Sequence, residues 1–225
     1  MATVVPAVRG NDGEPDGLWT LTVFDEQGQP VPGAVLLGAR SHPSTPRRGA
    51  SSAATMSPLI IDQRNKRFVP FVSVSPPRHP VSFPNSDDVR HHVYSFSAGN
   101  AFERKLYRAN DAAPVVFATA GVVALGCNIH DNMQAYVLVT EDAVAGPSDA
   151  RGVIRVAGSA PGADTATLAL WHPLLNTTGE AVAAPLTRAA GAAGVTLPMT
   201  WSDPQQPRSR GDLEALLRQF SRDNP

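Results

Sequence analysis

Cysteine occurs once in the 225 residues, at Cys127. A single thiol excludes an intramolecular disulfide and leaves cysteine usage silent about an oxidising compartment. An excess of charge of either sign is also lacking, since 19 Lys and Arg against 20 Asp and Glu give a formal net charge of −1. That balance provides no global field for nucleic acid or an anionic membrane surface. No stretch approaches the ~18 consecutive apolar residues that a membrane-spanning helix needs. The start, Met1–Val8, has no charged n-region, and Pro6 interrupts its short apolar run. The expectation is a cytoplasmic chain or a start that has lost its leader. Glycine-rich phosphate loops are absent as well.

Hydrophobic residues, by contrast, make up 42% of the chain, enough for a real core, and 21 Pro with 18 Gly punctuate it densely. This combination predicts an all-β fold of many short strands. Strand signals fall at Leu18–Phe24, Val31–Leu37, Leu59–Ile61, Phe68–Val74, Val81–Phe83, Val93–Phe96, Pro114–Phe117, Val122–Leu125, Ala135–Thr140, Val153–Val156, Thr165–Trp171 and Gly194–Met199. Residues 1–16 read as a flexible lead-in, and Ser41–Thr55 as loop or linker. Arg64, Lys66 and Arg67 form the one basic cluster, read as a solvated turn. At the end, Leu213, Leu216, Leu217 and Phe220 recur at helical spacing behind Asp212, which predicts a short amphipathic C-terminal helix over 209–225.

The chemistry concentrates in Gly121-Val-Val-Ala-Leu-Gly-Cys127-Asn-Ile-His130-Asp-Asn-Met133. An apolar strand runs into Cys127, and a tight loop then brings an imidazole and a thioether three and six residues on. Thiolate and thioether are soft ligands and imidazole is borderline, a set that suits copper better than hard cations. Two histidines and one cysteine in a trigonal set with a weak axial methionine make a type 1 (blue) copper site. The missing histidine is His91 or His92, at the start of the Val93–Phe96 strand. Each residue also has a plain structural reading, Cys127 as a small buried hydrophobe and Met133 as core filling. Structural zinc prefers four Cys or His ligands and has no use for a methionine. A catalytic cysteine needs a base and an orienting carboxylate, and Asp131 beside His130 is badly placed for that. His42, His79 and His172 stand alone and are read as surface or structural residues. Asn176-Thr-Thr178 matches a glycosylation sequon of little weight here.

Several strings make the reading more specific. Phe117-Ala-Thr-Ala-Gly121 with Cys127, His130 and Met133 resembles the C-terminal copper loop of the cupredoxins. Val81-x-Phe83-x-Asn85 with His91-x-Val93 resembles the family's other ligand strand. Residues 56–142 resemble the bacterial cupredoxin-domain proteins called methylamine utilization proteins, through Phe83-Pro-Asn-Ser-Asp87, Arg90-His-His-Val-Tyr-Ser-Phe-Ser97 and Leu125-Gly-Cys-Asn-Ile-His-Asp131. The resemblance implies a Greek-key sandwich with His91, Cys127 and His130 as equatorial ligands of one copper and Met133 as the axial one. His91 is preferred to His92 because His91-x-Val93 keeps the family spacing. His92 stands where the family often has Asn, and Ile129 where it often has Pro. Asn85, Asn128 and His92 are candidates to hydrogen-bond the site. The resemblance also implies a periplasmic electron-transfer protein, not an enzyme, that meets redox protein partners. His130 is the expected exit point for the electron, with Ile129 and Leu125 candidates for an apolar patch around it. The alternatives are a copper delivery protein that shuttles no electron and a metal-free interaction domain. Multicopper chemistry would need His-x-His pairs, and a dinuclear site a second cysteine; neither is present.

The flanks resemble something else. Val23-Phe-Asp-Glu-Gln-Gly-Gln-Pro-Val-Pro-Gly-Ala34, Asp149-Ala-Arg-Gly-Val-Ile-Arg-Val156 and Leu168-Ala-Leu-Trp-His-Pro173 are similar to a transthyretin-like or carboxypeptidase-regulatory-like module. The resemblance implies a second small β-sandwich built from residues 17–55 and 150–208, with the copper domain, 56–142, inserted between its strands. It also gives His172 a packing role.

Overall fold

The computed structural model describes residues 17–41, 57–107, 113–161, 166–189 and 192–206. The expected lead-in over 1–16, nearly all of the expected linker and the expected helix over 209–225 lie outside them. The described residues are all-β, with no helix among them. Eighteen short strands follow in order. β1 (Leu18–Phe24) and β2 (Val35–Leu37) come first. β3 (Leu59–Ile60), β4 (Asp62–Gln63), β5 (Phe68–Val69), β6 (Val72–Ser75) and β7 (Pro80–Ser82) follow, then β8 (His91–Ser95), β9 (Phe102–Tyr107), β10 (Val115–Val116), β11 (Gly121–Cys127) and β12 (Gln134–Val139). The last are β13 (Val144–Ala145), β14 (Val153–Ala157), β15 (Thr167–Trp171), β16 (Val182–Pro185), β17 (Thr187–Ala189) and β18 (Ala192–Thr196).

Several of these differ from the sequence expectation for identifiable reasons. The expected Phe68–Val74 strand is two, because Pro70 offers no N–H to continue a ladder. The second strand begins at Val35, not Val31, because Gly33 takes φ +88° and turns the chain first. β9 reads Phe-Glu-Arg-Lys-Leu-Tyr, and its charges hid it from a reading based on apolar runs.

Pairing divides the strands by position in a telling way. β1 lies between β14 and β18 in a four-stranded sheet, order β14-β1-β18-β17. β2 lies between β13 and β15 in a second, order β13-β2-β15-β16. Leu21, Val23, Leu36, Ile154, Val156, Leu170 and Val195 meet between these sheets in one buried cluster. The middle of the chain makes a five-stranded sheet, order β6-β12-β11-β8-β9, a three-stranded sheet, order β10-β7-β3, and the β4–β5 hairpin. Phe68, Phe83, Val93, Phe117, Val123, Cys127, Met133 and Val137 form its separate core. A third cluster joins the two, with Trp171 and Val35 packed on Val72, Leu138 and Val144. Where the chain returns, Ser148 ties off the crossing: its hydroxyl donates to the Val31 carbonyl at 2.7 Å and accepts the Ala34 N–H at 2.9 Å.

Candidate metal centre

β11 and β12 are a hairpin whose register pairs Gly126 with Gln134, so the loop between them is Asn128–Met133 with Cys127 at its mouth. Two main-chain bonds fix its shape. The Met133 N–H donates to the His130 carbonyl at 2.9 Å, and the Cys127 N–H to the Met133 carbonyl at 3.2 Å. The alternation of β11 turns Cys127 inward, where it is buried with Met133 in the middle core. β8 pairs with β11 on the other side, with Val93 opposite Cys127, which brings His91 to the same end of the sheet.

His91, Cys127 and His130 converge there. Cys127 Sγ lies 3.8 Å from His91 Nδ1 and 3.8 Å from His130 Nδ1. The three ligand-capable atoms all fall within 4.8 Å of one another, and they are the single His, Cys, Asp or Glu triple so arranged among the described residues. A metal about 2.3 Å from sulfur and about 2.0 Å from nitrogen would see a sulfur and a nitrogen 3.8 Å apart at roughly 120°, the trigonal angle. The spacing, and the soft thiolate flanked by two imidazoles, therefore fit a copper ion. Met133, 1% exposed, lies in the same core as Cys127.

His92 is placed elsewhere. Adjacent strand residues point to opposite faces, and the β8–β9 ladder has a bulge between His91 and Val93. His91 is fully buried, while His92 lies partly buried on the other face of the strand, with Nε2 3.0 Å from Glu103 Oε1 and its ring edge-on to Tyr94. That contact lies off the line of a hydrogen bond, and it is an ion pair only when the imidazole is protonated. Of the two apolar residues expected around His130, Ile129 is 49% exposed, but Leu125 is 3% exposed and part of the core. Leu125 therefore belongs to no surface patch; its β11 side chain alternates inward with Cys127. His79 is buried, and His172 is fully enclosed between the Pro32 carbonyl and the Leu174 N–H.

The group that orients His91 is one the sequence reading passed over. Asp87 Oδ2 lies 2.7 Å from His91 Nε2. An ionised Asp87 takes a proton donated by Nε2, so in the neutral ring the lone pair is on Nδ1, the atom that faces the thiol. Asp87 is itself gripped by the β4–β5 turn. The Asn65 N–H donates to Oδ1 at 2.5 Å and the Lys66 N–H to Oδ2 at 2.9 Å. Asn65 and Lys66 both have positive φ, 55° and 57°, the backbone of a two-residue hairpin turn that aims successive N–H groups one way. Burial alone would raise the Asp87 carboxyl. The Lys66 N–H, the His91 side chain and the Asn65 N–H outweigh it and hold it below the usual carboxylate range. His130 is depressed, first by burial and then by the nearby positive potential of His91 and Lys66, against the opposing pull of Asp87. Its ring is thereby kept in the neutral form that can ligate. Asn85, a sequence candidate for hydrogen-bonding the site, acts one step back: it accepts the Asp87 N–H at 3.0 Å and donates to the Val89 carbonyl at 2.9 Å. Asn128 contributes its main chain, whose N–H donates to the His92 carbonyl at 3.3 Å. The signal for Asp87 was a carboxylate one short turn before a candidate ligand histidine.

Part of this chain is similar to the cupredoxins. A reduced tryptophan-to-tyrosine mutant of amicyanin matches over 41% of this chain and 90% of its own, at 17% identity and a TM-score of 0.35. A purple cupredoxin from Nitrosopumilus maritimus matches over 36% of this chain and 99% of its own, at 21% identity and a TM-score of 0.33. A copper-containing nitrite reductase from Thermus scotoductus matches over 44% of this chain but 26% of its own, at 20% identity and a TM-score of 0.37. No family model and no curated protein matches the sequence. At such scores the case for the centre rests on its own residues.

Proposed function

We propose that this chain is a one-electron carrier of the cupredoxin type, holding one type 1 copper at His91, Cys127 and His130 with Met133 as the weak fourth ligand. The observation that carries the reading is two imidazole Nδ1 atoms, each 3.8 Å from one buried thiol sulfur, with a methionine in the same buried core. Bound copper would supply a Cu(II)/Cu(I) couple that takes up and gives back one electron. The protein's part is to change little while this happens. His91 is fixed by Asp87, Cys127 by two neighbouring strands, and the loop by its own main-chain bonds. His130 is the partly exposed member of the triple, and half-exposed Ile129 precedes it. The electron therefore leaves through His130 toward a redox protein that docks weakly on this rim. In this reading residues 56–142 are the copper domain, inserted into a sandwich made of 17–55 and 150–208, and the chain works in the periplasm as a carrier, not an enzyme. No helix among the described residues is long and apolar enough to cross a membrane.

Adding Cu(II) to the metal-free protein and recording optical and EPR spectra tests the reading. An intense visible thiolate-to-copper band with the narrow hyperfine splitting of a type 1 centre is expected, and Cys127→Ser abolishes both. Tight Cu(I) binding without the band marks a delivery protein instead. A coloured Cys127→Ser variant sinks the assignment.

A further inference from the structure

A segment from the far end of the described chain reaches the centre and touches both of its halves. After β18 the chain passes Trp201, whose N–H donates to Asp25 Oδ2 at 2.8 Å and whose ring packs near Phe71 and His172. That fixes the segment to the flanking sheets. The next residues, Asp203–Gln205, cross onto the middle core. Gln205 is 2% exposed, and its side-chain amide reads both main-chain groups of one residue. Oε1 accepts the Phe68 N–H at 2.7 Å, and Nε2 donates to the Phe68 carbonyl at 3.0 Å. A glutamine used in this way completes a strand edge as a neighbouring strand would. Arg67, just before Phe68, pairs with Asp203.

Phe68 opens β5, so this grip holds the hairpin whose turn amides clasp Asp87, and through Asp87 it reaches His91. The same segment holds the other half. Asn132 Nδ2 donates to the Gln205 carbonyl at 2.8 Å, and Gln134 Nε2 approaches the Pro204 carbonyl at 3.5 Å. Asn132 and Gln134 are the two neighbours of Met133. One buried glutamine therefore stands at the meeting point of the histidine side and the methionine side of the centre. The two sides also meet through the sheet, the shared core and the His91–His130 ring contact.

We propose that Asp203–Gln205 is a strap by which the flanking sandwich sets the geometry of the copper site, with Gln205 as its positioning residue. This rests on the reading of the centre as a copper site. The strap's function is to hold the Met133 loop and the Asp87 hairpin at one fixed separation. The flanks are then part of the redox centre and not a mere carrier for it. Removing the strap loosens both halves together; cutting only its bond to Asn132 loosens one.

The test compares Gln205→Ala, Asn132→Ala and a control, Ile154→Val, which trims the flanking core away from the strap. Amide hydrogen exchange at Lys66 and Met133 is measured on the metal-free proteins. EPR hyperfine splitting and the rate of copper loss to a chelator are measured on the loaded ones. Gln205→Ala is expected to speed exchange at both amides by about tenfold, the loss of roughly one buried hydrogen bond. It is also expected to speed copper loss by about 10- to 100-fold, as outer-shell changes do, and to shift the splitting. Asn132→Ala speeds exchange at Met133 and leaves Lys66 unchanged, and it keeps the test open if the glutamine variant does not fold. Exchange rates in both strap variants that match the wild type, or that follow global stability as Ile154→Val does, overturn the proposal. If the wild type takes up no copper, the reading of the centre fails, and the exchange arm still decides whether the strap positions the loop.

Discussion

At the scale of single residues, the centre works through opposites placed side by side. His91 and His92 are neighbours in the chain, yet one faces a thiol and the other Glu103. Asp87 is a partly buried carboxylate kept ionised by two main-chain N–H groups and an imidazole. Asp87→Ala removes the acceptor of His91 Nε2 and leaves the turn amides without a partner. Copper affinity is expected to fall about 10- to 100-fold, read by competition with a chromophoric chelator. Met133 has two readings, ligand and core filler, and one substitution separates them. Met133→Leu keeps the volume, so stability in urea should change by less than about 1.5 kcal/mol. As a ligand, Met133 would be missed nonetheless, and the reduction potential of the loaded protein should rise with loss of the weak axial donor. An unchanged potential assigns Met133 to the core alone.

Elements do the aiming. β8 and β11 are adjacent, and their register alone decides that His91 and Cys127 meet. The Asn65–Lys66 turn was legible as a turn from its polar residues, but its role in holding Asp87 was not. Two residues with positive φ turn their N–H groups toward a carboxylate that is distant in sequence. The flanking sheets depend on a comparable turn. Gly152 has φ +74°, and a Cβ there would sit 2.4 Å from the Val23 carbonyl oxygen, a main-chain atom that cannot yield. Its own carbonyl accepts the Val23 N–H at 2.8 Å, so the turn is bound to β1. Gly152→Ala is expected to cost about 2 kcal/mol or more, measured as a lower urea midpoint at unchanged slope.

At the scale of the whole molecule, the two groups of sheets share an aromatic seam. Phe71 contacts Tyr136, His172 and Trp201, and the His172 ring lies edge-on to Trp201. Desolvation pushes His172 down to about 4 despite its bond to the Pro32 carbonyl. Its ordinary value in an unfolded chain is about 6.5. Between those two values the unfolded state binds a proton that the folded state refuses, so stability falls as pH drops from about 6.5 to about 4 and loses nothing further from this group below that. The loss amounts to about 3 kcal/mol at most. Urea unfolding of metal-free wild type and His172→Asn across this window checks it: the variant should show a shallower fall. A parallel fall in both places the acid sensitivity elsewhere. Asp25 works in the same acid direction. The Trp201 N–H foremost, with those of Gln29 and Gln27, holds its carboxyl low against the cost of burial, so protonation weakens the anchor of the strap.

The sequence by itself determined the candidate donor set on the β11–β12 loop and much of the local structure. Cys127, His130 and Met133 share one loop, and short-range spacing is enough to gather donors within a loop. The all-β class followed from strand-length apolar runs punctuated by Pro and Gly. Strands with charged faces or only a few residues, such as β9 and β13, were not legible, because their apolar content is too small to show a period. Family spacing favoured His91 over His92, and tertiary structure supplied the reason that His91 faces the thiol, through strand alternation and the register of β8 on β11. Tertiary structure alone decided that Asp87 orients His91, that Leu125 is core, and that Gln205 grips Phe68. These contacts join residues from 4 to 137 positions apart. Nothing in a local pattern records which distant amide will find which distant carbonyl; that is fixed only when the sheets close and every buried polar group must find a partner.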